Sequence, residues 1–431
     1  MANSFSKEER VAFENILEGF NDALVMSRNV SVYNTDGSMM ERTNDVIWRP
    51  QPYIATSING APRTDISTSF VDFTQLAVPA TLGFNKTVPF ALDALELRDQ
   101  LQEGRLGDSA KQKLASDINV AIMNVAAAQS TLVVTRSGSA GGYSDVAECD
   151  AVFNEQGVQM FDRYLALSSR SYNGMASDLA GRQTMTGKPT TAYERSFVGE
   201  VAGFQTYKMD YANRILGNTT PVGDITINGA NQYYTPRATS TAGTGETNNV
   251  DNRYQSLNIT LAAGAVVRVG DCFKLASVNA LHHITKGDTG QAKTFRIISI
   301  TSGGGTAGNN TVVISPPIIS AQGGTDAELQ YKNVSATPAN GSTVTILNVD
   351  AADINVFWQK DALEILPGRY AIPTNAGVDV MRGTTDQGIE LVMQKFYDIN
   401  TAITKYRMDT FFGVVNKQPE MSGIMLFNQV P

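Results

Sequence analysis

Between about Val222 and Leu347 helical periodicity all but vanishes from the sequence. Inside that block, VDNRYQSLNITLAAGAVVRVGDCFKL (Val250 to Leu275) alternates its apolar residues: Leu257, Ile259 and Leu261, then Val267, Val269, Phe273 and Leu275. A period of two places them all on one face of a strand, with Ala-Ala-Gly-Ala as the turn between the runs. Similar runs follow at Thr294 to Thr301, Thr311 to Ile314 and Thr343 to Leu347, separated by loops of Gly, Thr, Ser and Asn. This spacing predicts a small all-β barrel or sandwich. Mixed helical and strand patterns lie on both sides of it, so the β-block is an insertion into an α+β chain.

Before the insertion, Ser6-Lys7-Glu8-Glu9 has the form of a capping box, and Phe13, Ile16, Leu17, Phe20 and Leu24 share one helical face. Glu14, Glu18 and Asp22 form an acidic ladder beside that face. A polar stretch, Asn29 to Asn44, follows, so the helix is expected to dock on the body of its own chain or on another chain. Asn44 to Ala55 is extended, and its two prolines keep it from the centre of a sheet. A polar, turn-rich excursion separates it from renewed alternation at Val71 to Val88, the pattern of an extended hairpin. Leu114, Ile118, Ala121, Ile122, Val125 and Leu132 predict a helix from Asp108 to Val134, a rod of roughly 40 Å. A short helix is expected near Ser144 to Phe153, a strand at Arg163 to Ser168, and helices around Ser171 to Leu179 and Tyr193 to Val201. Phe204 to Lys208 is expected to be extended. After the β-block come a short helix or turn at Asp353 to Glu364 and strands near Ile389 to Lys395 and Arg407 to Asn416.

The chemistry-bearing residues are sparse. His282 and His283 are the only histidines, and neighbours in a strand point to opposite faces, so they do not share a metal. Without a third histidine or paired cysteines, zinc has no ligand set, and no metal, cofactor or catalytic residue is expected. The glycine-rich runs GTGETN and SGGGTAGNN lack the lysine and following helix of a phosphate loop and are expected to be hairpin tips. Cys149 and Cys272 are expected to be buried thiols in a reducing cytosol, with a disulfide between them as the alternative. The formal net charge is −8, without the basic balance or stripe that grips phosphates, so contact with DNA is expected to be containment. No run of ~18 apolar residues predicts a membrane span, and the first residues lack a signal-peptide core.

The C-terminal segment holds Arg407-Met408-Asp409, then Phe412-Gly413-Val414-Val415 and a closing Pro419-Glu420. This resembles the C-terminal signature of tailed-phage major capsid proteins of the Hong Kong 97 type. DRYLALSSRSYNGMASDL, VGEVAGFQTYKMD and NVFWQKDALEIL resemble further segments of that family, in family order. NVDNRYQSLNITL, GDCFKL and TILNVDAADINVFW are similar to coat proteins of short-tailed temperate phages of enteric bacteria, which carry an inserted β-barrel domain.

The resemblance implies an N-terminal arm (residues 1–45), an extended-loop hairpin (46–100) and a spine helix (101–135). It implies a peripheral domain (136–180 with 390–431), an axial domain (181–221 with 348–389) and the inserted barrel (222–347). The implied function is that of a structural protein without enzymatic activity. It assembles as hexamers and pentamers into an icosahedral procapsid in the host cytoplasm and then forms the phage head. The implied partners are further copies of the chain, a scaffolding protein, a portal protein and enclosed double-stranded DNA bound without sequence specificity. A long insertion loop, Tyr234 to Arg253, is expected to reach the adjacent capsomer, with Arg237, Glu246, Asp251 and Arg253 as charge partners; a solvated hairpin tip is the alternative. Glu14, Glu18 and Asp22 are expected to meet a basic scaffold helix or a neighbour, the alternative being a solvated face. An encapsulin-like shell is the rival function, and a soluble enzyme or carbohydrate-binding protein a more distant one.

Overall fold

The computed structural model of the chain describes residues 7–33, 46–52, 55, 57, 65–67, 70–93, 100–181, 198–373 and 377–430. Its fold is α+β. It divides into two compact units, one of Met1–Ile47, Ala80–Val125 and Leu363–Val415, the other of Trp48–Pro79, Ala126–Ala362 and Asn416–Pro431. Ser6 of the expected capping box and most of the polar excursion lie outside the described residues.

In the first unit the N-terminal helix Lys7–Ala23 buries Phe13, Ile16 and Phe20, with Leu24 just beyond its end. It docks on its own chain. A Cβ on Gly383 would come 2.6 Å from a Leu17 methyl, and one on Gly107 equally close to an Ile16 methyl, so the helix packs closely at both glycines. The unit's sheet runs Ser31–Val32, Leu363–Pro367, Ile403–Asn416, Glu390–Asp398, Asp379–Thr384, with Phe84–Leu92 also paired to Ile403–Asn416. The Arg-x-Asp pair is internal to this sheet: Asp409 is fully buried and accepts from Arg407 Nε at 2.8 Å and Gln394 Nε2 at 3.1 Å. Phe412 stacks on Phe84 with ring centroids 5.2 Å apart, and Gly413 leaves room for the Thr81 carbonyl.

The long helix spans Gln100–Gln129, thirty residues or a rod of about 45 Å, and belongs to the first unit as far as Val125. Two expectations are corrected here. The helix starts at Gln100 rather than Asp108, and it stops at Gln129, after which Leu132–Thr135 is a strand.

In the second unit a mixed sheet runs Leu132–Thr135, Ser422–Leu426, Asn355–Gln359, Arg163–Ser168, Phe204–Met209, Glu200–Val201. Helices Tyr143–Gln156 and Ser169–Ala180 cover it, and Val146, Cys149, Phe153, Tyr172 and Met175 pack on Leu165, Phe204, Phe357 and Met425. Asn355–Gln359 and Leu363–Pro367 are strands joined by a single 3-10 turn, where the sequence suggested a helix or turn. Of the helix expected at Tyr193 to Val201 only the last four residues are described, and Glu200–Val201 is a strand.

The β-block is a barrel. Its strand order is Ile225–Ile227, Gln255–Leu261, Gly308–Ser315, Asp288–Ser302, Cys272–Leu281, Val344–Ile346, all antiparallel. A bridge between Thr226 and Thr343 nearly closes the ring. The alternating residues of the opening stretch point inward, Leu257, Ile259, Leu261, Val267, Phe273 and Leu275 among them. Val269 does not: it lies in the turn before Cys272–Leu281 and is 64% exposed. One short helix, Asp326–Tyr331, interrupts the β-pattern, started by the Thr325 side chain accepting from Glu328 N.

Candidate assembly surfaces and the seat of the barrel

The middle of strand Asp288–Ser302, from Lys293 to Ile297, is covered on both sides. Phe295 and Ile297 face the barrel core, while Lys293, Thr294 and Arg296 reach the mixed sheet and the end of the long helix. Lys293, only 1% exposed, donates to Gln156 Oε1 at 3.1 Å and forms an ion pair with Glu420 at 2.5 Å. Asn333 Nδ2 donates to the same Glu420 oxygen at 3.1 Å. Burial alone would raise the Glu420 carboxyl, but Lys293, His283 and these hydrogen bonds hold it below its ordinary value. His283 Nε2 lies 3.9 Å from Glu420 and has no hydrogen-bond partner. Burial pushes this imidazole down to about 4, with Glu420 opposing and Lys293, Lys286 and His282 adding to the fall. The terminal Pro-Glu pair thus has two structural tasks. The Pro419 carbonyl accepts from Thr131, and the Glu420 side chain seats the barrel.

Arg296, 3% exposed, turns its guanidinium onto the carbonyls of Ala127 and Ser130 at the C-terminal end of the long helix. Such carbonyls have no partner within a helix, and a cation there also meets the negative end of the helix dipole. The chain passes into and out of the barrel through a second buried knot. Asp271 accepts from Asn218 Nδ2 at 2.7 Å and Asn348 Nδ2 at 2.9 Å, and Asn218 N donates to the Asn348 carbonyl at 2.8 Å. None of these residues was singled out from sequence; the available signal was charge or amide inside apolar strand runs such as AKTFRI and GDCF.

The insertion loop is a hairpin, Thr239–Thr241 paired with Thr247–Asn249, with every residue of both strands exposed. Arg237 and Glu246 are exposed. Asp251 and Arg253 are instead turned inward onto each other, Arg253 Nη2 to Asp251 Oδ2 at 2.7 Å, and Arg253 Nη1 donates to the Asn416 carbonyl at 2.8 Å. The four expected charge partners therefore fall into two pairs, one outward and one committed within the chain.

On the N-terminal helix Glu14 and Glu18 are exposed, opposite the buried Phe13, Ile16 and Phe20. Asp22 lies in the same helix, but its side chain is outside the described part. Cys149 and Cys272 are both buried free thiols, raised by burial, Cys272 to about 11. Among the described residues no group of three or more His, Cys, Asp or Glu could hold a metal, and no helix is long and apolar enough to cross a membrane.

Several solved structures resemble the chain. The capsid of cyanophage P-SCSP1u is 10% identical over 92% of this chain and 85% of its own, with a TM-score of 0.41. A structure from Mycobacterium phage Che8 is 9% identical over 91% of each chain, TM-score 0.40. The CUS-3 coat protein I-domain is 33% identical over 30% of this chain and 98% of its own, TM-score 0.22. None reaches 0.5, and the family assignment stands on the sequence match alone. The model of the P22 coat protein (gene protein 5) family matches residues 1–428, so the chain belongs to the P22 coat protein family and is a phage major capsid protein.

Proposed function

We propose that copies of this chain join as hexamers and pentamers and close into an icosahedral procapsid, which becomes the head around double-stranded DNA. Assembly runs in the host cytoplasm with a scaffolding protein and a portal protein as partners. The six-part division into arm, extended loop, spine, peripheral, axial and inserted domains belongs to the same reading. The observation that carries it is the match of residues 1–428 to a coat protein family. Closed point-group symmetry turns many modest contacts into one durable shell and leaves each contact weak enough to be corrected during growth. With a net charge of −8 the shell repels DNA rather than binding it. An encapsulin-like compartment is not favoured, because the matching family is a phage coat protein.

Negative-stain microscopy of the chain co-expressed with the phage's scaffolding protein tests the reading. Uniform closed particles are expected; soluble subunits alone would remove it. Within the same reading, Glu14, Glu18 and Asp22 receive a basic segment of the scaffold. Glu14→Lys with Glu18→Lys is expected to lower the procapsid yield several-fold while leaving the subunit folded, since both side chains are exposed. Unchanged yield removes the contact.

A further inference from the structure

The exposed hairpin has little to hold it straight by itself. Its strands are three residues each, and an isolated two-stranded ribbon is marginal in water. Its base, however, is tied by one side chain. Asn252, 4% exposed, accepts through Oδ1 from Arg237 N and from the Tyr234 hydroxyl, each at 3.0 Å. Its Nδ2 donates to the carbonyls of Arg237 at 2.8 Å and Val250 at 3.0 Å. Both backbone groups of Arg237 are thereby pinned, and the guanidinium leaves from a fixed point. The next residue anchors that tie. Arg253 grips Asp251 with Nε and Nη2 and spends Nη1 on the Asn416 carbonyl, while the Asp251 backbone bridges to Ala77.

We infer that Asn252, with Arg253 and Asp251, positions the hairpin, and that Arg237 and Glu246 are the groups that meet a second copy of the chain. An arginine 7% exposed with its donors already placed would have to break four hydrogen bonds to reach another subunit. Preorganising a short ribbon removes ordering entropy from the assembly step, which is where such a clasp acts. The second half rests on the assembly of copies into a closed shell proposed above; the first half does not.

Hydrogen exchange on the unassembled full-length subunit separates the two. Asn252→Asp keeps the acceptors and loses both Nδ2 donors, and Arg253→Lys keeps the charge and loses the fork. Each is expected to speed exchange of the Ser240, Ala242 and Asn248 amides at least fivefold, with Leu257, Ile259 and Val312 of the barrel unchanged. Equal hairpin exchange in wild type and both variants overturns the inference. Arg237→Ala with Glu246→Ala is expected to leave hairpin exchange as it is and to reduce intact shells severalfold. Wild-type shells from that double variant overturn the assignment of the contacting pair, even with the clasp variants loosened.

Discussion

Lys293 and Glu420 show what a buried charge does in this protein. Taking both out of water costs several kcal/mol, and the pair returns that only because Gln156 and Asn333 complete its hydrogen bonds. His283 sits against the same carboxylate as a neutral ring, its pKa pushed to about 4 by burial first. In the unfolded chain it titrates near 6.5, so between those values the unfolded state binds the proton that the folded state refuses. Stability is therefore complete above about pH 6.5 and falls on acidification, by about 2 kcal/mol at pH 5. The depressed Glu420 carboxyl adds its own loss only below its ordinary value near 4.5, so the window from pH 6.5 to 5 isolates the imidazole. Urea midpoints at pH 7.5 and pH 5 should converge in His283→Gln relative to wild type. Equal acid losses in the two proteins would show that the ring is charged or solvated when folded.

At the scale of elements, the end of the long helix is the most exacting junction. The carbonyls of Ala127 and Ser130 there belong to buried residues and accept from Arg296, from a strand 166 residues further along the chain for Ser130. Arg296→Ala leaves them unpaired and should cost roughly 2 to 4 kcal/mol, read as a lower thermal midpoint. Arg296→Lys keeps the charge without the planar fork and should fall between the two. A wild-type midpoint for the alanine variant would mean that water already reaches those carbonyls.

The same junction explains what the sequence made legible. Helical spacing marked the middle of this helix correctly because Leu114, Ile118 and Ile122 carry the packing. It overran the end because Leu132 happens to stand seven residues after Val125, while the true stop depends on Thr131 bonding to Pro419 and Ser422. It missed the start because Gln100 to Gly107 presents no apolar stripe. Strands with one wet face, such as Gln255–Leu261, showed their alternation. Asn355–Gln359 and Leu363–Pro367, buried almost throughout, had no such rhythm to show. For the loop, the family resemblance pointed to the charged residues but could not tell which pair would turn inward; that depends on Asn416, remote in sequence.

For the molecule as a whole, the dependence between barrel and mixed sheet runs one way. The barrel is nearly closed, has its own core from Ile225 to Ile346, and leaves few unpaired strand edges. Its two chain crossings are already hydrogen-bonded to each other through Asn218, Asn348 and Asp271. Cutting there exposes Lys293 and Arg296, which water solvates at little cost. A fragment of residues 217–349 is therefore expected to fold alone, with dispersed amide resonances and a single cooperative thermal transition. The converse deletion, joining Gly217 to Val349, leaves Glu420, Gln156 and the carbonyls of Ala127 and Ser130 without their partners. Water then reaches the end of the long helix and strand Leu132–Thr135, which strand Asp288–Ser302 packs against, and each lost hydrogen bond costs about 0.5 to 1.5 kcal/mol, against a total stability of order 10 kcal/mol. That protein is expected to be insoluble or unfolded by circular dichroism. A folded deletion protein beside an unfolded fragment would reverse the dependence and make the barrel a passenger on the subunit.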